Sequence, residues 1–99
     1  MQFIDDAEFQ VVIDLDGGGR ITSIKWQDME FTVPFRGGVL TNGWYPMAPW
    51  AGRIRDGIIR NPAGQEFQLP ATFDPPHAIH GFGPTSSWQE IGPGRSMLH

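Results

Sequence analysis

Arg53 and His80 stand 27 positions apart, each in a short stretch rich in Pro, Gly and aromatic residues. Arginine holds anions and hydroxyl arrays with a rigid fork of donors. Histidine is the side chain whose ordinary proton affinity lies near neutral pH. Such a pair suits proton transfer to a polar, uncharged small molecule, and a sugar is the first candidate. Trp50 and Phe82 lie next to the pair in sequence. Sugars present C–H faces that stack on such rings, so both are candidate pocket walls. Gly81 would let a ligand or backbone come close. Each residue also has a plainer reading. His80 can be a hydrogen-bonded histidine at a strand start, and Arg53 can pair with Asp56 or another surface carboxylate. Trp88 reads as a core aromatic.

His77 either shapes the pocket wall or holds its loop by bonding to backbone. Holding is favoured, because Pro75 and Pro76 already fix that loop; His77 stays among the candidate binding residues. Residues three apart on a strand or turn face different sides, so His77 and His80 do not read as a metal pair. No third ligand is close in sequence, and no metal is expected.

The elements that must position these residues read as strands. Phe9, Val11, Ile13 and Leu15 alternate with Gln10, Val12 and Asp14, the period of a strand with one buried face. Residues 16–19, one Asp and three Gly, supply a turn, and residues 20–26 a return strand. Gln27-Asp28 makes a second turn and residues 30–33 a third strand, completing a meander. Two prolines keep residues 45–50 out of any central strand. Strands over 54–60 and 66–69 flank a five-residue hairpin loop, 61–65. Arg53 rather than Arg55 is favoured as the functional residue. Residues 69–77 are irregular, 88–91 one more strand, and 92–99 carry no evident closing element. No run of ten or more residues shows helical spacing, so the fold expected is all-β and antiparallel.

The chain has 99 residues, enough for one small domain that buries about 60–70% of its unfolded surface. Thirteen Gly and nine Pro argue for many turns. The net charge is −4 with seven basic residues and no basic run, which disfavours nucleic acid and anionic membranes as partners. Without cysteine there are no disulfides or thiolate metal sites. The first residues carry acid where a signal peptide needs positive charge, and no window approaches a membrane span. A soluble, cytoplasmic protein is the expectation.

The ordered set Pro49-Trp50-Ala51-Gly52-Arg53-Ile54-Arg55-Asp56-Gly57, Leu69-Pro70, His77-Ala78-Ile79-His80-Gly81-Phe82 and Trp88 resembles the aldose 1-epimerases, the galactose mutarotase-like proteins. The match is best over residues 43–91. The resemblance implies a large antiparallel β-sandwich, considerably longer than this chain, of which residues 1–99 would be the N-terminal portion. Some strands would then lack the partners that cover them, and exposed edges and faces invite association. The resemblance also implies a cofactor-free isomerase that interconverts α and β anomers of a hexose such as glucose or galactose. His80 would be the acid at the ring oxygen, and Arg53 would bind and orient the substrate. The base would be a glutamate, accompanied by a second histidine and an aspartate, all from beyond position 99. Of the carboxylates near the motif, Asp56 and Glu66 read as surface or turn residues and Asp74 as a pre-proline turn residue. The chain itself is thus expected to hold half of a catalytic pair. Many family members carry Asn where this chain has Gly52, which removes one side-chain amide contact to the sugar.

Two further readings stay open. A hexose 6-phosphate would want extra basic residues at the pocket rim, for which Arg36, Arg55 and Arg60 are available. A non-catalytic carbohydrate-binding β domain would keep the fold and the stacking aromatics. The sequence does not fix the oligomeric state.

Overall fold

The alternating stretches pair as a ribbon in the computed structural model, which describes residues 1–99. The chain divides into two units, residues 1–46 with 82–99, and residues 47–81.

In the first unit, β1 (Gln2–Asp5), β2 (Phe9–Asp14), β3 (Arg20–Trp26) and β4 (Met29–Glu30) form an antiparallel meander in that order. β1 was not expected; it pairs along its whole length, from Gln2 opposite Ile13 to Asp5 opposite Gln10. The third strand is shorter than the 30–33 expected, because Glu30 takes over the bonding there. Its carboxylate accepts the backbone N–H groups of Ile24 (3.2 Å) and Thr32 (3.3 Å), the Ser23 hydroxyl (2.6 Å) and the Thr32 hydroxyl. The Thr32 N–H thus turns back on its own chain.

These bonds, the Ser23 hydroxyl first and the Thr32 hydroxyl next, hold the Glu30 carboxyl at about 2, below its ordinary 4.5. A depressed folded-state pKa contributes stability above the unfolded value and loses it as pH falls through the folded one. The Glu30 contribution is therefore present above about pH 4.5 and lost between there and about pH 2. Glu30→Gln should flatten the dependence of the urea midpoint on pH across that window. An unchanged slope in the variant would show that the carboxylate contributes nothing.

After the second unit, β9 (Gln89–Gly92) and β10 (Arg95–Met97) form a hairpin, so the stretch expected to lack a closing element supplies a strand. The buried Gln2 side chain donates to Glu90 Oε1 and to the Gly92 carbonyl, both at 3.2 Å. Trp88 donates its backbone N–H to the Leu15 carbonyl (2.9 Å) and its ring N–H to the Gly83 carbonyl (3.1 Å).

The second unit holds β5 (Arg53–Ile54), β6 (Ile58–Arg60), β7 (Glu66–Gln68) and β8 (Ala78–Ile79). β5 pairs with β8 and β6 with β7, both antiparallel. The β6–β7 hairpin turns at residues 61–65 as expected, with Asn61 Oδ1 accepting the Gln65 N–H at 2.9 Å. The strand expected over 54–60 is broken by a 3-10 turn, Arg55–Gly57. Asp56 (φ 55°) and Gly57 (φ 67°) both take left-handed backbone there, which no strand tolerates. Strand alternation therefore does not run on past Arg55.

The fold is all-β with antiparallel ladders, and no helix is long and apolar enough to cross a membrane. Apart from Pro84, Ala78 is the only buried apolar side chain. Phe35, Phe3, Met29 and Phe31 are 74%, 70%, 57% and 53% exposed. Val11, Ile13, Leu15, Ile24, Trp50 and Ile79 are half-buried, so apolar burial is spread thinly, and ladders and polar bonds add to the cohesion.

Candidate functional site

Trp50, Arg53, His77 and His80 all belong to the 47–81 unit, and Phe82 belongs to the other one. Phe82 heads a 3-10 turn, Gly83–Thr85, and its carbonyl accepts the Ser86 hydroxyl at 2.6 Å.

β5 and β8 set the frame. Arg53 lies opposite Ile79, so Gly52 and His80 come next along the same ladder. The His80 N–H donates to the Gly52 carbonyl at 3.0 Å. A regular ladder would return the Gly52 N–H to the His80 carbonyl. Instead the Gly52 N–H donates to His80 Nδ1, also at 3.0 Å. His80 has left-handed backbone (φ 59°), which takes it out of strand geometry and lets its ring stand in for its carbonyl. In a regular ribbon, side chains of neighbouring positions alternate between faces, which would have set His80 opposite to Arg53; the positive φ ends that alternation. A backbone N–H can only donate, so Nδ1 carries no proton, and the neutral ring carries its proton on Nε2. The fold thereby fixes which nitrogen of His80 is the donor.

Gly81 (φ 71°) follows at once, and Ala48 bridges to it. A Cβ on Gly81 would overlap the Ala48 carbonyl. Gly52 (φ 77°) differs, since a Cβ there meets nothing within 4 Å. Asn is the side chain that best tolerates left-handed backbone. Gly52→Asn should therefore fold at a cost of no more than about 1 kcal/mol and place an amide beside Arg53. Urea denaturation checks the cost; a loss of several kcal/mol would mean that the space is needed.

Arg53 is paired, but with Asp74 rather than Asp56: its Nε donates to Asp74 Oδ2 in an ion pair on the surface of the unit. Asp74 is in turn tied to His77, whose N–H donates to the Asp74 carbonyl at 2.8 Å. His77 Nδ1 accepts the Asp56 N–H at 3.0 Å. This bond holds the 3-10 turn to the proline loop, the loop-holding role weighed for His77, and it also leaves the proton of the neutral ring on Nε2. The hydrogen bond from Arg53 holds the Asp74 carboxyl below its ordinary range against partial burial, and the Arg53 charge adds to that. No three of the His, Asp and Glu side chains gather closely enough to hold a metal ion.

The unit thus places two backbone-fixed imidazoles and a carboxylate-bound guanidinium on one short ribbon and its loop. Between them they offer N–H donors to hydroxyls and a group able to give up a proton. Sequence reading passed over Asp74 and the Gly52–His80 bond. The one available signal was an aspartate between the two motifs, and it was read as a turn residue. A cavity of about 340 Å³ in the first unit, lined by Asp14, Asp16, Arg20, Phe35, Asn42 and Thr85 among others, contains none of the candidate residues.

No family model and no curated protein matches the sequence. Two solved structures match the fold. One is a candidate aldose 1-epimerase of Escherichia coli K12, with a TM-score of 0.76 and 24% identity over 92% of this chain and 32% of that one. The other is a galactose mutarotase-like protein of Clostridium acetobutylicum, with a TM-score of 0.64 and 18% identity over 88% of this chain and 29% of that one. The chain therefore has an antiparallel β fold like that of part of these proteins. It spans about a third of their length.

Proposed function

We propose that residues 1–99 are the N-terminal part of an aldose 1-epimerase-like isomerase, acting in the cytoplasm on a hexose such as glucose or galactose. The observation that carries this reading is the bond from the Gly52 N–H to His80 Nδ1, which leaves the His80 proton on Nε2. Ring opening of a cyclic hemiacetal needs a proton delivered to the ring oxygen as a base removes one from the anomeric hydroxyl. His80 Nε2–H hydrogen-bonds the ring oxygen and yields its proton as the C1–O bond breaks; the imidazolate left behind takes the proton back on closure. Arg53 holds hydroxyls with its terminal nitrogens. Rotation about the C1–C2 bond then exposes the other face of the aldehyde, and closure reverses both transfers. No proton is gained or lost, and no cofactor is called on. The base is a glutamate from sequence beyond position 99, as the family likeness implies.

Polarimetry of freshly dissolved α-D-glucose and α-D-galactose tests this reading. The protein encoded by the full reading frame should accelerate mutarotation over buffer, and the 99-residue chain should not. If the full protein binds hexose without accelerating, the carbohydrate-binding reading replaces the enzymatic one.

A further inference from the structure

The ion pair between Arg53 and Asp74 has a one-sided geometry. Asp74 takes the Nε of the guanidinium, and the two terminal nitrogens make no other hydrogen bond or ion pair. The Arg53 side chain is 62% exposed, so those nitrogens reach solvent. Asp74 has its own anchor, since its carbonyl accepts the His77 N–H and His77 is bonded to the turn that follows β5. The Asp74 backbone is therefore held, and the guanidinium is tied to its carboxylate by one edge, which leaves the four terminal N–H donors for other partners.

We propose that Asp74 is the positioning and specificity residue for Arg53: it aims the terminal edge of the guanidinium at ligand hydroxyls and cancels its charge, so that the site takes neutral sugars in preference to sugar phosphates. This rests on the reading that Arg53 binds a sugar. An unheld arginine gives up side-chain freedom when it orders around a ligand, and one already held gives up less. An uncompensated guanidinium is a phosphate-binding group, whereas one sharing its charge with a carboxylate meets a phosphate dianion with a like charge beside it. Arg55 and Asp56 follow Arg53 in the chain and carry opposite charges. Asp74, ionised throughout the neutral range, is the group in direct contact with Arg53.

The test follows the arginine Nε–H resonances of the 99-residue chain by nuclear magnetic resonance, with inorganic phosphate, methyl galactoside and glucose 6-phosphate as probes. In the wild type the Arg53 signal should be slowed in exchange, and phosphate should leave it in place. In Asp74→Asn it should lose that protection and move on phosphate addition. The affinity ratio of glucose 6-phosphate to methyl galactoside should rise about fivefold, the most that an exposed charge pair delivers. Asp74→Glu, which keeps the charge, should behave as wild type. Glu66→Gln removes the comparable ion pair with Arg60 in the β6–β7 hairpin and should change nothing at Arg53. The Gly52 and His80 amide signals report whether each variant keeps its fold; if Asp74→Asn loses them, wild type against Asp74→Glu and the wild-type phosphate response decide. An Arg53 signal and phosphate response identical in wild type and Asp74→Asn overturn the proposal, as does a wild-type Arg53 that binds phosphate. If neither sugar binds the wild type, the sugar reading fails, while the Arg53 signal and the phosphate titration still decide what Asp74 does.

Discussion

Gly81→Val should cost the 47–81 unit more than about 3 kcal/mol. The residue holds φ 71°, and left-handed backbone costs a β-branched side chain about 1–3 kcal/mol. A Cβ there also overlaps the Ala48 carbonyl. That carbonyl is backbone and cannot swing aside as a side-chain tip could. It belongs to the bridge between Ala48 and Gly81, so relief of the clash must break the bridge. The unit has little to offset the loss, because Ala78 is its only buried apolar side chain. Amide exchange at Gly52, Ala78 and His80 is the measurement. Exchange in the variant should approach that of an open chain, and Gly81→Ala should fall between. Protection equal to wild type would show that the bridge is dispensable.

His80 carries the larger effect on rate. A well-placed general acid contributes about 10²–10⁴-fold, so His80→Ala in the full-length protein should lose that much of its acceleration of mutarotation. Alanine also strips the Gly52 N–H of its acceptor, a cost of about 1–3 kcal/mol that would blur the result. His80→Asn separates the two. Asparagine tolerates left-handed backbone, and its carbonyl oxygen can accept the Gly52 N–H, yet it has no proton to give near neutral pH. The expected outcome is a folded protein, with Gly52 amide protection retained and the acceleration lost. If His80→Asn kept the wild-type rate, the acid would have to be sought elsewhere.

What the sequence made legible follows from how far apart the partners are. β2 and β3 were visible because their apolar alternation spans six and seven residues and their connection is local. The hairpin at 61–65 was visible for the same reason. β8 is two residues long and exists through pairing with β5, some 25 positions earlier, so no local pattern announces it. The break at 55–57 was legible but passed over: Asp56-Gly57 is a pair suited to left-handed backbone at both positions, and it was read into a strand. Asp74 was hidden because its partner lies 21 positions back, and an aspartate before prolines has a ready local explanation. Phe82 stands two residues after His80, yet the boundary between the units falls directly before it.

The 47–81 unit is continuous in sequence, whereas the other unit is assembled from two stretches. The Ala48–Gly81 bridge brings the two ends of the continuous piece side by side. A segment whose ends meet can be lifted from one host loop and spliced into another without stretching the recipient. Arg53, Asp74, His77 and His80 would all travel with it. This set of donors is in that sense a cassette that recombination could move among β scaffolds, each recipient supplying the remaining groups.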